Sequence, residues 1–161
     1  MEYTIKVHLA YNVWANEQFA RVLRSVDDVV YFEDTKSSFP SMAKTVVHIW
    51  GAQDIWLRRM KGENPGKLLS ADSENKDAPL DGMVQSANEL LHFAESKDNT
   101  FLRQTYSYRS MKGDPFEDTY EATMFHVVNH STYHRGQLTT MLRQAGVTAL
   151  AATDLIHYLR M

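Results

Sequence analysis

Three histidines stand at steps of four in the segment FHVVNHSTYHRGQLTTMLRQAG, residues 125–146: His126, His130 and His134. On a helix, residues i and i+4 lie one above the other, with Cβ atoms about 5–6 Å apart. Two imidazoles at that spacing reach one metal ion. Residues i and i+8 are separated by about 12 Å of helix rise, so all three cannot converge. The pair is His126 with His130, or His130 with His134. At about 100° per residue, Val127, Leu138, Met141, Leu142 and Ala145 gather on one side, the expected core face. His134 falls inside that stripe, His130 at its edge, and His126 toward the flank. Bundles build metal sites from inward side chains, so phase selects His130 and His134. Most lone histidines on apolar faces are hydrogen-bonded core residues, and a pair at i,i+4 shifts the balance toward metal without deciding it. The H-E-x-x-H pattern of metalloproteases is absent, because Ser131 follows His130.

Two ligands seldom make a tight site, and catalytic zinc typically takes three from the protein. His8, His48, His92 and His157 remain. His48 lies beside, not within, the stripe of Met42, Val46, Ile49, Trp50, Gln53, Leu57 and Met60, so periodicity leaves the third ligand open. Around the pair, Asn129 or Gln137 can hydrogen-bond a ligand or a water, although capping or packing is the commoner role of such residues. Gly136 suits close helix approach, and Arg135 reads as a surface or pair-forming side chain. Trp14, Trp50 and Trp56 read as core or interface residues rather than pocket walls. No general acid or base stands out.

Four segments carry a helical period able to position these groups. They run from about Tyr3 to Val26, from Pro40 to Met60, from Pro79 to Lys97, and from Asp118 or Thr119 to Gly146. Pro40 suits a first-turn position, and Lys61-Gly62 and Gly146 are stop signals. Asp118 with Glu121 resembles a capping box. Residues 61–78 read as a long polar loop, functional or mobile. Tyr106 and Tyr108 alternate with polar residues before Lys112-Gly113-Asp114-Pro115, the pattern of a short hairpin within 101–119. A short last helix is expected from about Thr153, as N-cap, to Leu159. The expected fold is all-α: a four-helix bundle with a hairpin before the fourth helix and a short C-terminal helix. The long loop allows a crossover, so simple up-down-up-down order is not required.

The 161 residues fit one domain spanning 1–161, and 43% hydrophobic with 23% charged residues is an ordinary globular balance. A formal net charge of -3 without basic runs argues against nucleic acid as a partner. No apolar stretch is long enough to span a membrane, and the N-terminus lacks the features of a signal peptide, so a soluble cytoplasmic protein is expected. There is no cysteine, so no disulfide, thiolate ligand or thiol nucleophile comes from the chain itself.

The sequence resembles the DinB/YfiT-like family of bacterial metal-binding helical bundles over nearly its whole length. YNVWANEQ at 11–18 is similar to the family's first-helix signature. VVHIWGAQDIWLRRM at 46–60 is similar to its second helix, HVVNHSTYHRGQLTTMLRQAGV at 126–147 to the helix bearing H-x-x-x-H-R-G-Q, and TDLIHYL at 153–159 to its ending. The resemblance implies a metal on His48, His130 and His134. It also implies a crossed helix order, a homodimer, and for some relatives transfer or isomerisation with low-molecular-weight thiols such as bacillithiol or mycothiol. The expected cofactor is a divalent transition metal, zinc or nickel. The expected partners are an external thiol and a small electrophile. Two other readings stand beside it: a non-catalytic, metal-dependent binding or stress-response protein, and a helical interaction module whose histidines merely pack.

Overall fold

The computed structural model describes residues 4–70, 75–150 and 152–161. Four long helices dominate: α1 (Ile5–Ser25), α3 (Met42–Met60), α4 (Asp77–Glu95) and α6 (Tyr120–Gln144). Short helices α2 (Asp28–Phe32), α5 (Asn99–Leu102) and α7 (Leu155–Tyr158) and the strands β1 (Thr105–Arg109) and β2 (Pro115–Thr119) complete the chain. The fold is the expected helical bundle with a hairpin. Helices α2 and α5 were not expected. Each is a single turn nucleated by an aspartate, Asp27 or Asp98, whose carboxylate accepts from Val29 N or Phe101 N.

Several ends differ from the periodicity. Pro40 does not open α3. It precedes Ser41, whose hydroxyl caps the helix by accepting from Lys44 N at 3.1 Å. Helix α4 starts two residues before Pro79, which sits in the first turn where a missing N–H costs nothing. Thr119, not Asp118, caps α6 by accepting from Ala122 N, and the Asp118 carboxylate instead accepts from Tyr108 Oη at 2.8 Å. Thr153 is not the cap of α7, which follows Asp154. Its carbonyl instead accepts from Tyr11 Oη at 2.8 Å. Tyr3 lies outside the described residues.

Helix directions follow from who meets whom. Arg24, at the end of α1, pairs with Asp77 and Asp81 at the start of α4. Lys6 Nζ, near the start of α1, donates to Lys97 O, just past the end of α4. One apolar cluster joins Leu23, Met42, Leu80 and Leu142, and the other joins Ile5, Met60, Leu90 and Met124. Thus α1 and α6 run one way, and α3 and α4 the other. Around the bundle each of α1 and α3 packs on both α4 and α6. Helices α3 and α4 are therefore consecutive, adjacent and parallel. The chain must return about 28 Å between them, the length of a nineteen-residue helix. The connection from 61 to 76 is long enough for that return, since a chain reaches at most about 3.3 Å per residue, which explains the long loop and confirms the crossover. Leu69 O lies 3.2 Å from where a Cβ on Gly51 would sit, so the connection passes against the middle of α3 there.

The glycine that permits close helix approach is Gly82 on α4. A Cβ there would lie 2.4 Å from the Trp50 ring. Gly136 has nothing within 4 Å of such a Cβ, so it does not serve that purpose.

Candidate metal centre

Helix α3 carries His48 in its second turn, and α6 carries His130 and His134 one turn apart. Because α3 and α6 are antiparallel neighbours, the three imidazoles meet. His48 Nε2 is 2.9 Å from His130 Nε2, and His134 Nε2 is 3.1 Å from His130 Nε2. One ligand atom from each lies within 4.8 Å of the others, and this is the one such group of three among the described residues. His134 is buried, and His48 and His130 are half-buried.

His126 does not join them. It is exposed, its ring meets Trp56 edge-on at 5.3 Å, and it stands 6.0 Å from the His130 ring. Of the two pairs the spacing allows, the tertiary structure assembles His130 with His134. The other histidines lie elsewhere: His8 against Phe125, His92 beside Asn88 O, and His157 against Trp14.

Hydrogen bonding prepares the donor atoms. His134 Nδ1 lies 2.7 Å from Gln137 Oε1, which can only accept. The imidazole proton therefore sits on Nδ1, and the Nε2 lone pair faces the other two rings. Gln137 Nε2 in turn donates to Ser38 Oγ at 2.9 Å. Phe39 stacks on His48, with centroids 4.1 Å apart and planes at 28°, and meets His134 edge-on at 5.5 Å. His130 Nε2 lies within bonding distance of the Nε2 atoms of both His48 and His134, and one ring proton cannot serve both contacts. A divalent cation satisfies all three lone pairs at once, and an all-imidazole donor set suits zinc or nickel. The residues fit a metal.

Electrostatics keeps the donors neutral. Burial pushes the His48 imidazole down to about 4, with His134 adding to the effect. Burial and then the neighbouring His134, His48 and His126 push His130 down to about 3. Burial also lowers His134, opposed by its bond to Gln137. An unfolded chain binds protons on these groups near pH 6.5, whereas the folded one does not. Below that pH the unfolded state therefore binds more protons, so this contribution to stability is full above about pH 6.5 and declines as pH falls toward 4. Metal-free protein is expected to show a falling thermal midpoint across that window. The His130→Ala/His134→Ala variant should show a shallower dependence, measured by circular dichroism in chelator.

The residue next to the ligands departs most from expectation. Arg135 is 2% exposed, not a surface side chain. Its Nη1 donates to Asn12 Oδ1 at 2.6 Å and Asn16 Oδ1 at 2.7 Å, and its Nη2 to Thr132 Oγ1 at 2.9 Å. Both asparagine amides donate to Gln53 Oε1, and Gln53 Nε2 donates to Met83 O and Ser86 Oγ. This buried chain links all four long helices directly beside the histidines. A signal for it exists in the sequence: Asn12 and Asn16 at i,i+4, and Gln53 within an apolar stripe. Asn129 is exposed and takes no part. Ala145, expected in the core, is exposed at the end of α6.

The comparisons agree with this architecture. The sequence profile of the DinB family matches residues 1–161. The chain is 30% identical over 157 residues to Protein DinB of Bacillus subtilis (strain 168), covering 94% of this chain and 91% of that protein. Its fold is similar to the crystal structure of a DinB-like protein from Bacillus cereus ATCC 10987, with a TM-score of 0.64 and 18% identity, covering 86% of this chain and 91% of that one. With the profile matched from end to end and a helical bundle that presents three convergent histidines, the chain belongs to the DinB family.

Proposed function

We propose that this protein is a metal-dependent enzyme of the thiol S-transferase class, with the ion held by His48, His130 and His134 and the thiol supplied as a low-molecular-weight co-substrate. The observation that carries the reading is the convergence of the His48, His130 and His134 imidazoles, whose Nε2 atoms meet at 2.9 and 3.1 Å. Three neutral ligands leave the full positive charge of a zinc or nickel ion available to lower the pKa of a thiol presented to it. In the transfer, the thiol gives its proton to solvent, its sulfur forms a bond to an electrophilic carbon, and the leaving group departs with its electron pair. The chain's own part is to fix the imidazoles through Gln137 and to accommodate the electrophile. A cavity of about 320 Å³ lies one turn along α6 from His130, walled by Trp56 and Tyr108 and bordered by Asp118, Thr123 and His126. Its aromatic walls suit an apolar electrophile.

The same reading places the protein in the cytoplasm as a homodimer, with no nucleic-acid or membrane partner. No helix of the described residues is long and apolar enough to cross a membrane. On α6 the exposed Phe125 and Tyr133 offer apolar surface for a second copy to cover.

The test is metal content by plasma mass spectrometry on protein purified without a histidine tag, followed by thiol consumption with a panel of electrophiles. About one equivalent of metal and metal-dependent thiol transfer are expected. Metal without transfer to any electrophile favours the non-catalytic, metal-dependent binding or stress-response role. No metal uptake, even after incubation with zinc and nickel, overturns the reading.

A further inference from the structure

We propose that Gln137 is a positioning residue that couples the three-histidine site to the segment bearing Ser38 and Phe39, so that this segment closes on the site when a divalent ion is held. The inference rests on the metal reading above and goes beyond it, because it assigns a role to residues outside the ligand set.

Gln137 has one acceptor end and one donor end, and both are engaged. Its Oε1 accepts from His134 Nδ1 at 2.7 Å, and its Nε2 donates to Ser38 Oγ at 2.9 Å. The amide thus joins a ligand on α6 to the connection between α2 and α3. That connection is pinched into a compact turn, with Thr35 N donating to Pro40 O and Ser37 N to Thr35 O. Ser37, Ser38 and Pro40 are exposed, whereas Phe39 is half-buried. The Phe39 ring meets His48 and His134, one from each helix that supplies the donors. The tip of the turn therefore rests on two candidate ligands and on the residue that orients one of them.

An ion held by His48, His130 and His134 would fix the planes of His48 and His134. It thereby fixes the platform under Phe39 and the direction of the Nδ1–H that Gln137 accepts. Without the ion both rings regain freedom, and the turn loses its seat. Linkage makes the effect reciprocal: whatever factor the ion adds to closure, closure adds to ion affinity. Outer partners of metal-bound histidines typically contribute about 10–100-fold in affinity, which sets the scale for Gln137.

The experiment titrates zinc, against a chromophoric chelator, into metal-free wild type, Gln137→Ala, Gln137→Glu and Ser38→Ala. Hydrogen–deuterium exchange of peptides covering residues 34–41 is followed with and without zinc. In wild type, zinc is expected to slow exchange there about tenfold. Gln137→Ala should weaken zinc by about 10–100-fold and abolish the slowing. Gln137→Glu keeps an acceptor for His134 Nδ1 and should rescue affinity to within about threefold of wild type. Ser38→Ala, which leaves the ligands and Gln137 intact, should lose most of the slowing and weaken zinc by a similar factor. Wild type that binds zinc with unchanged exchange at 34–41, or Gln137→Ala that binds zinc as wild type does, overturns the coupling alone. Wild type that binds no zinc overturns the metal site first, and the coupling with it.

Discussion

His134→Ala is expected to weaken zinc binding on the order of a thousandfold while the helical bundle survives. Zinc held by a complete protein ligand set is worth about 10–16 kcal/mol. Losing one of three ligands removes about 4 kcal/mol of that, or about three decades in affinity. The fold should tolerate the change. His134 makes one side-chain hydrogen bond, to Gln137, besides its contact with His130. In metal-free protein its loss also relieves the crowding that lowers His48 and His130. His126→Ala is the matched control. It removes an exposed histidine one turn before His130, and metal content should stay at about the wild-type level. Competitive titration and circular dichroism of both variants read the two quantities separately. Zinc affinity unchanged in His134→Ala would contradict its place among the ligands.

The second large effect is thermodynamic. Arg135→Met is expected to cost about 3 kcal/mol of stability, which is about 10 °C in midpoint for a chain of this size. Methionine fills much of the volume but supplies no donor. Asn12 Oδ1 and Asn16 Oδ1, both on residues with no exposed surface, then lose the Nη1 they share. Each unsatisfied buried acceptor costs about 1–3 kcal/mol. The loss is offset in part, because the guanidinium is itself buried among neutral partners and burial lowers its pKa. The acceptors outweigh that relief, since there are two of them and their amides hold Gln53 at the centre of the bundle. Lysine should not rescue, because a single ammonium cannot reproduce the planar fork that reaches both asparagines and Thr132. Zinc stoichiometry below the transition should remain as in wild type, which separates this network from the metal centre. Urea unfolding that shows a loss under about 1 kcal/mol would refute the role assigned to Arg135.

The sequence by itself determined the local elements and two of the three histidines of the site. A helical period is a property of consecutive residues, so the four long helices, the tyrosine hairpin and the stop at Gly146 were legible without any tertiary information. The i,i+4 spacing and phase of His130 and His134 were legible for the same reason. His48 was reachable only through resemblance, because its partners lie on another helix and nothing along α3 distinguishes it from a flanking histidine. Tertiary structure decided everything that depends on which helix faces which. Arg135 stands one residue past His134, about 100° around α6. That turn aims it at α1 instead of solvent, so a charged side chain that reads as surface or pair-forming becomes part of a buried network. Asp118 lost the capping role to Thr119 because β1 places Tyr108 against it. Gly136 was free of the close approach that Gly82 makes to Trp50, since it lies on the exposed side of α6. In each case the local code specified what a residue can do, and the packing of one element on another selected the partner with which it does it.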